Sequence, residues 1–329
     1  MRGREKSLCC SSLAVAILLC SPVWPQSGLH WTQATSSALW SARHGHTSEV
    51  FGGKMWVIGG VAEEGYSNSV WYSSDGTHWS AATTSAPWSG RSGHTSVVHD
   101  GRIWVIGGIQ DYEARKKNDV WYSRDGTSWS AATLSTPWAA RISHTSVAFG
   151  GKIWVMGGLV LGPPYQKNDV WYSADGARWT SATLSAPWPA RAGHTSVVFN
   201  SKIWVIGGFP NMNDVWYSSN GVNWTSATMS APWSPRAGHT CIVEDGKIWL
   251  IGGDDITGSL NDVWYSSDGS NWTQVVPSAP WLPRRGHTSI VFNQRIWVMG
   301  GYASTFPYRK NDVWYASDLA AATAWKLYP

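Results

Sequence analysis

Six His-Thr dipeptides, at His46, His94, His144, His194, His239 and His287, recur at spacings of 48, 50, 50, 45 and 48 residues. Imidazoles ligate metals, and zinc needs its nitrogen ligands at about 2.0–2.1 Å from a single point. Six equivalent residues on six successive repeats are too widely spread to converge there. A structural role is expected instead, with each ring bonding backbone near a neighbouring glycine pair, and no metal or other cofactor is expected. An arginine stands three residues before each His: Arg43, Arg91, Arg141, Arg191, Arg236 and Arg284. Forked guanidinium groups can gather round a carboxylate or phosphate. One Arg in the same slot of every repeat is more simply scaffold, although one or two of them are left free to face a channel mouth. Cys241 replaces the Ser of the other repeats, and reads as a small buried residue rather than a nucleophile.

Tryptophan is the other abundant chemistry, at 26 positions. Most fall into four repeating slots, which argues for packing. Trp40, Trp88, Trp138, Trp188, Trp233 and Trp281 precede the repeat Arg by three residues on a loop. They are candidates for an aromatic binding ring on one face; packing or cation–π contact with the Arg is the competing reading.

These residues need elements to position them, and each repeat reads as four strands. The first is His-Thr-Ser-Val-Val-Phe or a relative, and the second holds an apolar run such as Ile103-Trp104-Val105-Ile106 closed by a Gly pair. Pairs such as Gly52-Gly53 and Asp100-Gly101 join them as tight turns with both residues at positive φ. The third strand is Val-Trp-Tyr-Ser, and Asp75-Gly76 and its counterparts predict a short hairpin into the fourth. The second strand is apolar on successive residues, so both its faces must be covered. Sheets stacked round an axis give that cover. The chain is therefore expected to be all-β, a six-bladed β-propeller of four-stranded antiparallel blades, in one domain over residues 28–329.

The first 27 residues stand apart. Arg2, Arg4 and Lys6 precede an apolar run from Leu13 to Leu19, the layout of a secretory signal and too short to span a bilayer. A lipoprotein reading would acylate Cys20, but Leu19 occupies a position that needs a small side chain. A secreted, periplasmic or extracellular protein without a membrane span is expected. Removing this segment leaves one cysteine, so no internal disulfide can form. It also leaves nearly balanced charge, with no electrostatic footprint for nucleic acid. A monomer is expected.

The fourth-strand motif has seven copies for six blades, led first by Trp31 and last by Trp325. Trp31 lies nine residues before Trp40, the spacing of every other repeat. The segment Trp31 to Thr35 is therefore expected to complete the blade begun at Arg284, with Ala324 to Tyr328 lying beyond it or sharing its slot.

The Gly pairs at Gly59-Gly60, Gly107-Gly108, Gly157-Gly158, Gly207-Gly208, Gly252-Gly253 and Gly300-Gly301 resemble the hallmark of the kelch family. The Arg-x-Gly-His openings and the Trp after the third strand match too. The resemblance covers roughly residues 30–329 and implies a propeller. Two positions depart: Ser143 where five repeats have Gly, and Ser69 where five have Asp. The turn Ser73 to Trp79 is similar to the Asp-box hairpin of sialidases, a structural motif that implies no activity.

Variation is confined to the stretch between the Gly pair and the Asn-Asp (Asn-Ser in repeat one) that leads into the third strand. It is seven residues in repeats one and five, nine in two, three and six, and four in repeat four. These loops carry Glu63, Glu64, Tyr66, Asp111, Tyr112, Glu113, Arg115, Tyr165, Phe209, Asp254, Asp255, Phe306, Tyr308 and Arg309. Loops on a rigid scaffold carry function, and this mixture suits recognition of a protein or glycan by the face they share. The competing reading is an enzyme. The family includes a sialic acid mutarotase, for which Glu113 and Arg115 would be acid/base and anchor, and galactose oxidase, whose copper site has no counterpart here.

Overall fold

A computed structural model of the chain describes residues 29–111, 113 and 115–317. The secretory-type segment, Tyr112 and the stretch Ala324 to Tyr328 lie outside the described residues.

Six antiparallel sheets are arranged as a propeller. Blade two shows the pattern: Thr95–His99 lies innermost, followed outward by Arg102–Ile109, Lys116–Ser123 and Trp129–Thr133. Its second strand is buried on successive residues, as a strand covered on both faces must be. The hydrophobic clusters sit between blades: one joins Trp56, Ile58 and Val70 of blade one to Ile103 and Val105 of blade two.

The first-to-second-strand turns have positive φ at both residues in every blade, from Gly52 and Gly53 to Asn293 and Gln294. That is the geometry whose twist matches the flanking strands. The third-to-fourth-strand turns differ from expectation. Only the Gly of Asp75-Gly76 has positive φ, and six residues separate the strands Val70–Ser73 and Ser80–Thr83. Side chains hold this wider loop. Ser73 Oγ accepts from the Gly76 amide at 2.8 Å, and Asp75 Oδ1 accepts from the amides of Thr77 and His78, both at 2.8 Å. The aspartate thus folds the loop through its carboxylate rather than through a left-handed backbone.

The ring closes as the Trp spacing predicts. His30–Thr35 pairs antiparallel with Arg309–Ser317 and supplies the outer strand of blade six. Asn311 Nδ2 then donates to the carbonyls of Ala38 and Trp40 at 3.0 and 3.3 Å.

Round the axis runs a second closure that involves only backbone. The Gly93 amide donates to the Gly45 carbonyl, Ser143 to Gly93, Gly193 to Ser143, Gly238 to Gly193, Gly286 to Gly238 and Gly45 to Gly286, all at 2.8–3.0 Å. Each residue has φ between 52° and 64°. Glycine reaches that region freely, and Ser143 does so at a cost.

Candidate functional site

The repeated polar residues form the scaffold. Arg91 is fully buried; its Nη1 donates to the Gly107 carbonyl, and Nη1 and Nη2 grip Asp119 at 2.8 Å each. Asp119 also accepts from Trp121 Nε1 at 2.8 Å. The same fork joins Arg141 to Asp169, Arg191 to Asp214, Arg236 to Asp262 and Arg284 to Asp312. Blade one is the exception, because Ser69 takes the acid's place and offers Arg43 Nη1 only a hydroxyl at 3.1 Å. Burial lowers the Arg43 pKa to about 10, an effect partly offset by Glu64.

The six histidines are buried and form a ring of contacts. Each Nε2 meets a threonine hydroxyl of the preceding blade: Thr47 with His94 at 3.2 Å, and so on to Thr288 with His46 at 3.1 Å. The threonine partner adds to the expected backbone bond, which His94 makes with Ile58 directly before the Gly59-Gly60 pair, and the glycine contact is present. A Cβ on Gly59 would lie 2.7 Å from His94 Cε1. Burial pushes His94, His239 and His287 down to about 3, and the other three well below the ordinary imidazole value. Among the described residues no group of three or more His, Cys, Asp or Glu is placed to hold a metal.

The loop tryptophans are not a binding ring. Trp40, Trp88, Trp138, Trp188, Trp233 and Trp281 are each at most 1% exposed. Trp88 packs edge-on against Trp129 at 5.9 Å, with the Arg91 guanidinium 5.5 Å from its ring centre. Tryptophan is too large and apolar to leave on that loop when a neighbouring blade can cover it, so packing absorbs all six, and five also meet the repeat Arg in cation–π contact.

The face carrying the second-to-third and fourth-to-first strand loops is different. Phe306 is 85% exposed and Tyr308 47%. With Pro307, Arg309, Ser41, Ala42, Glu63 and Glu64 they line a depression of about 320 Å³ between blades six and one. Behind it the rings form a stack. Phe306 meets Tyr308 edge-on at 6.0 Å, Tyr308 lies parallel to Tyr302 at 5.7 Å, and Tyr302 meets His44 at 5.2 Å. Burial, then Arg309 and Arg285, push His44 down to about 4. A second depression, of about 510 Å³, lies over the channel mouth, lined by Leu159, Phe209, Asp254, Asp255, Ile256 and Arg285 among others. Arg285 pairs with Asp254 at 2.5 Å and lies 5.3 Å from the Tyr302 ring centre, so it links the two.

The remaining loop candidates are dispersed. Tyr165 is exposed on blade three, and Tyr66 lies half-buried in a short hairpin of blade one, Val61–Ala62 with Gly65–Tyr66. Half-buried Asp111 and exposed Glu113 and Arg115 form an ion-pair cluster. Arg115 Nε donates to Asp111 at 2.5 Å and Nη2 lies 3.7 Å from Glu113, whose side chain is 78% exposed. A carboxylate in open water beside an arginine lacks the desolvation that tunes a general acid.

Sequence reasoning missed Glu49. It stands in the innermost strand Thr47–Phe51, in a column filled elsewhere by Val97, Val147, Val197, Ile242 and Ile290. It lines the central channel, accepts from Ser96 Oγ at 2.7 Å, and is pushed up to about 7 by burial. The break in the Val/Ile column was the signal available. Cys241 lines the same channel half-buried rather than buried, its thiol pushed up to about 12 by desolvation.

Stacked four-stranded blades, five of them locked by an Arg–Asp fork and all six by a His–Thr bond, define a β-propeller scaffold that presents one variable loop face. The chain belongs to the kelch-repeat family: a model described as the KLHDC2/KLHL20/DRC7 Kelch-repeats domain matches residues 25–158 and 143–325. No curated protein matches the chain.

Proposed function

We propose that the protein is a binding module that holds a protein partner on the loop face, with Phe306 and Tyr308 as its anchor. One observation carries this reading. Of thirteen large hydrophobic side chains exposed among the described residues, eleven belong to the second-to-third or fourth-to-first strand loops; Val50 and Val222 are the exceptions. Exposed apolar surface gathered on one side of a soluble domain marks a contact site. Leu161 and Ile256 favour a polypeptide over a sugar, because aliphatic side chains offer a glycan little to stack on or bond with. The basic-then-apolar opening of the chain supports export, so the partner is sought among extracellular proteins.

The test is selection of peptide ligands from a displayed random library, followed by their affinities for variants. Phe306→Ser with Tyr308→Ser is expected to weaken binding by about 30-fold or more, the scale of a lost hot spot. Val222→Ser, on the opposite face, is expected to leave it unchanged. Ligands indifferent to the double variant, or a glycan that depends on the same two residues, would overturn the proposal.

A further inference from the structure

The central channel has a chemistry that the loop face does not share. Its wall is made by the six innermost strands, whose first residues are all Thr and whose second are Ser in five blades and Cys241 in one. These groups line a cavity of about 230 Å³. The ring of backbone bonds through Gly45 and Ser143 narrows the channel at the loop face. On the opposite side it widens into a mouth of about 440 Å³, where Val97, Val147, Ile242 and Ile290 give an apolar wall.

Into this tube projects one carboxylate, that of Glu49. Its described partner is the Ser96 hydroxyl, and among the described residues no basic side chain forms an ion pair with it. Two other hydroxyl oxygens of the channel lining, Ser48 Oγ in blade one and Ser196 Oγ in blade four, are buried without a hydrogen-bond partner. A partly desolvated carboxylate without a countercharge is costly, and so is an unmatched buried hydroxyl. Every other blade avoids the first cost by placing Val or Ile at this position. The cost is removed if the channel takes up a cation.

The donor set selects the kind of cation. One carboxylate among neutral hydroxyls balances a single positive charge. Calcium sites gather several carboxylate or carbonyl oxygens, and zinc sites gather imidazoles and thiolates. A primary ammonium brings one charge and three N–H donors, which suits one carboxylate in a channel lined by hydroxyl acceptors. The Val/Ile mouth suits an alkyl tail. We infer that the channel is a binding site for a small primary alkylammonium, entered from the face opposite the loops, with Glu49 as its counter-ion.

Titration calorimetry of the full chain at pH 8 with n-butylammonium, tetramethylammonium and potassium ions tests this. Saturable binding of n-butylammonium is expected, with none of tetramethylammonium, which lacks N–H donors. Both Glu49→Gln and Glu49→Val are expected to weaken binding by about tenfold or more. Glu49→Val restores the residue type of the other blades, so its fold is secure even if the Gln variant is unstable. Phe306→Ser is expected to leave this binding unchanged, which separates it from the loop-face reading. Absence of saturable n-butylammonium binding, binding by both Glu49 variants as tight as the parent's, or binding of potassium alone would overturn the assignment.

Discussion

Thr288 Oγ1 in the last blade lies 3.1 Å from His46 Nε2 in the first, although 242 residues separate them in the chain. This contact completes a ring of six, so the histidines count as one device rather than six coincidences. In the folded protein all six rings stay neutral well below the ordinary imidazole pKa. In the unfolded chain they take up protons as pH falls through about 6.5. The unfolded state therefore binds more protons, and stability is fully present above that value and lost below it. Between pH 6 and 5.5, above the range of most carboxylates, urea midpoints are expected to fall steeply. The slope should approach several protons taken up per molecule unfolded. A flat profile from pH 7.5 to 5.5 would contradict the account.

Blade one offers a stability test of the Arg–Asp fork. Asp119→Ser leaves Arg91 buried and unpaired, and is expected to cost about 3–5 kcal/mol. Ser69→Asp gives Arg43 the acid that the other blades have. It is expected to stabilise by about 1–2 kcal/mol, raising the thermal midpoint by a few degrees. A Ser69→Asp midpoint equal to or below the parent's would show that Glu64 already compensates Arg43.

Ser143 holds φ of 52° in the backbone ring, where the other five members are glycine. Ser143→Gly removes that strain and adds unfolded-state freedom, a balance expected to stabilise by about 0.5–1 kcal/mol. Gly193→Ala, the reverse change on the same ring, is expected to destabilise by about 1 kcal/mol or more. Chemical denaturation of both variants checks the signs.

Removal of residues 28–36 takes away the outer strand of blade six, together with the contact of Trp31 on Trp281 at 5.9 Å. Losing that burial and exposing a sheet edge is expected to lower the thermal midpoint by about 10 °C or more. An unchanged midpoint in calorimetry would mean that another segment fills the slot.

Much of this architecture was legible in the sequence because repetition reveals which positions are equivalent. The apolar run Ile103–Ile106 required cover on both sides, and the spacing of Trp31 from Trp40 placed the closing strand. Equivalence does not say where an equivalent residue points. Trp88 and its counterparts stand on loops, and only the packing of one blade against the next shows that they are buried. Asp75-Gly76 resembles a two-residue hairpin, yet the Ser73 hydroxyl and Asp75 carboxylate hold a wider loop. Glu49 was legible only as an exception to its column, and exceptions gain meaning once the column is known to line a channel. In the loops, Phe306 and Tyr308 were visible as candidates. Their stack with Tyr302 and His44 depends on the blade six to blade one seam, which joins the two ends of the chain.

The claim that the loop face is the contact surface is tested most directly by hydrogen exchange of the protein with and without a selected peptide ligand. Slowed exchange is expected in the loops over residues 159–166, 209–212, 254–258 and 302–309, with none in the third-to-fourth-strand turns on the opposite face. Protection confined to those turns, around Gly76, Gly126 and Gly176, would contradict it.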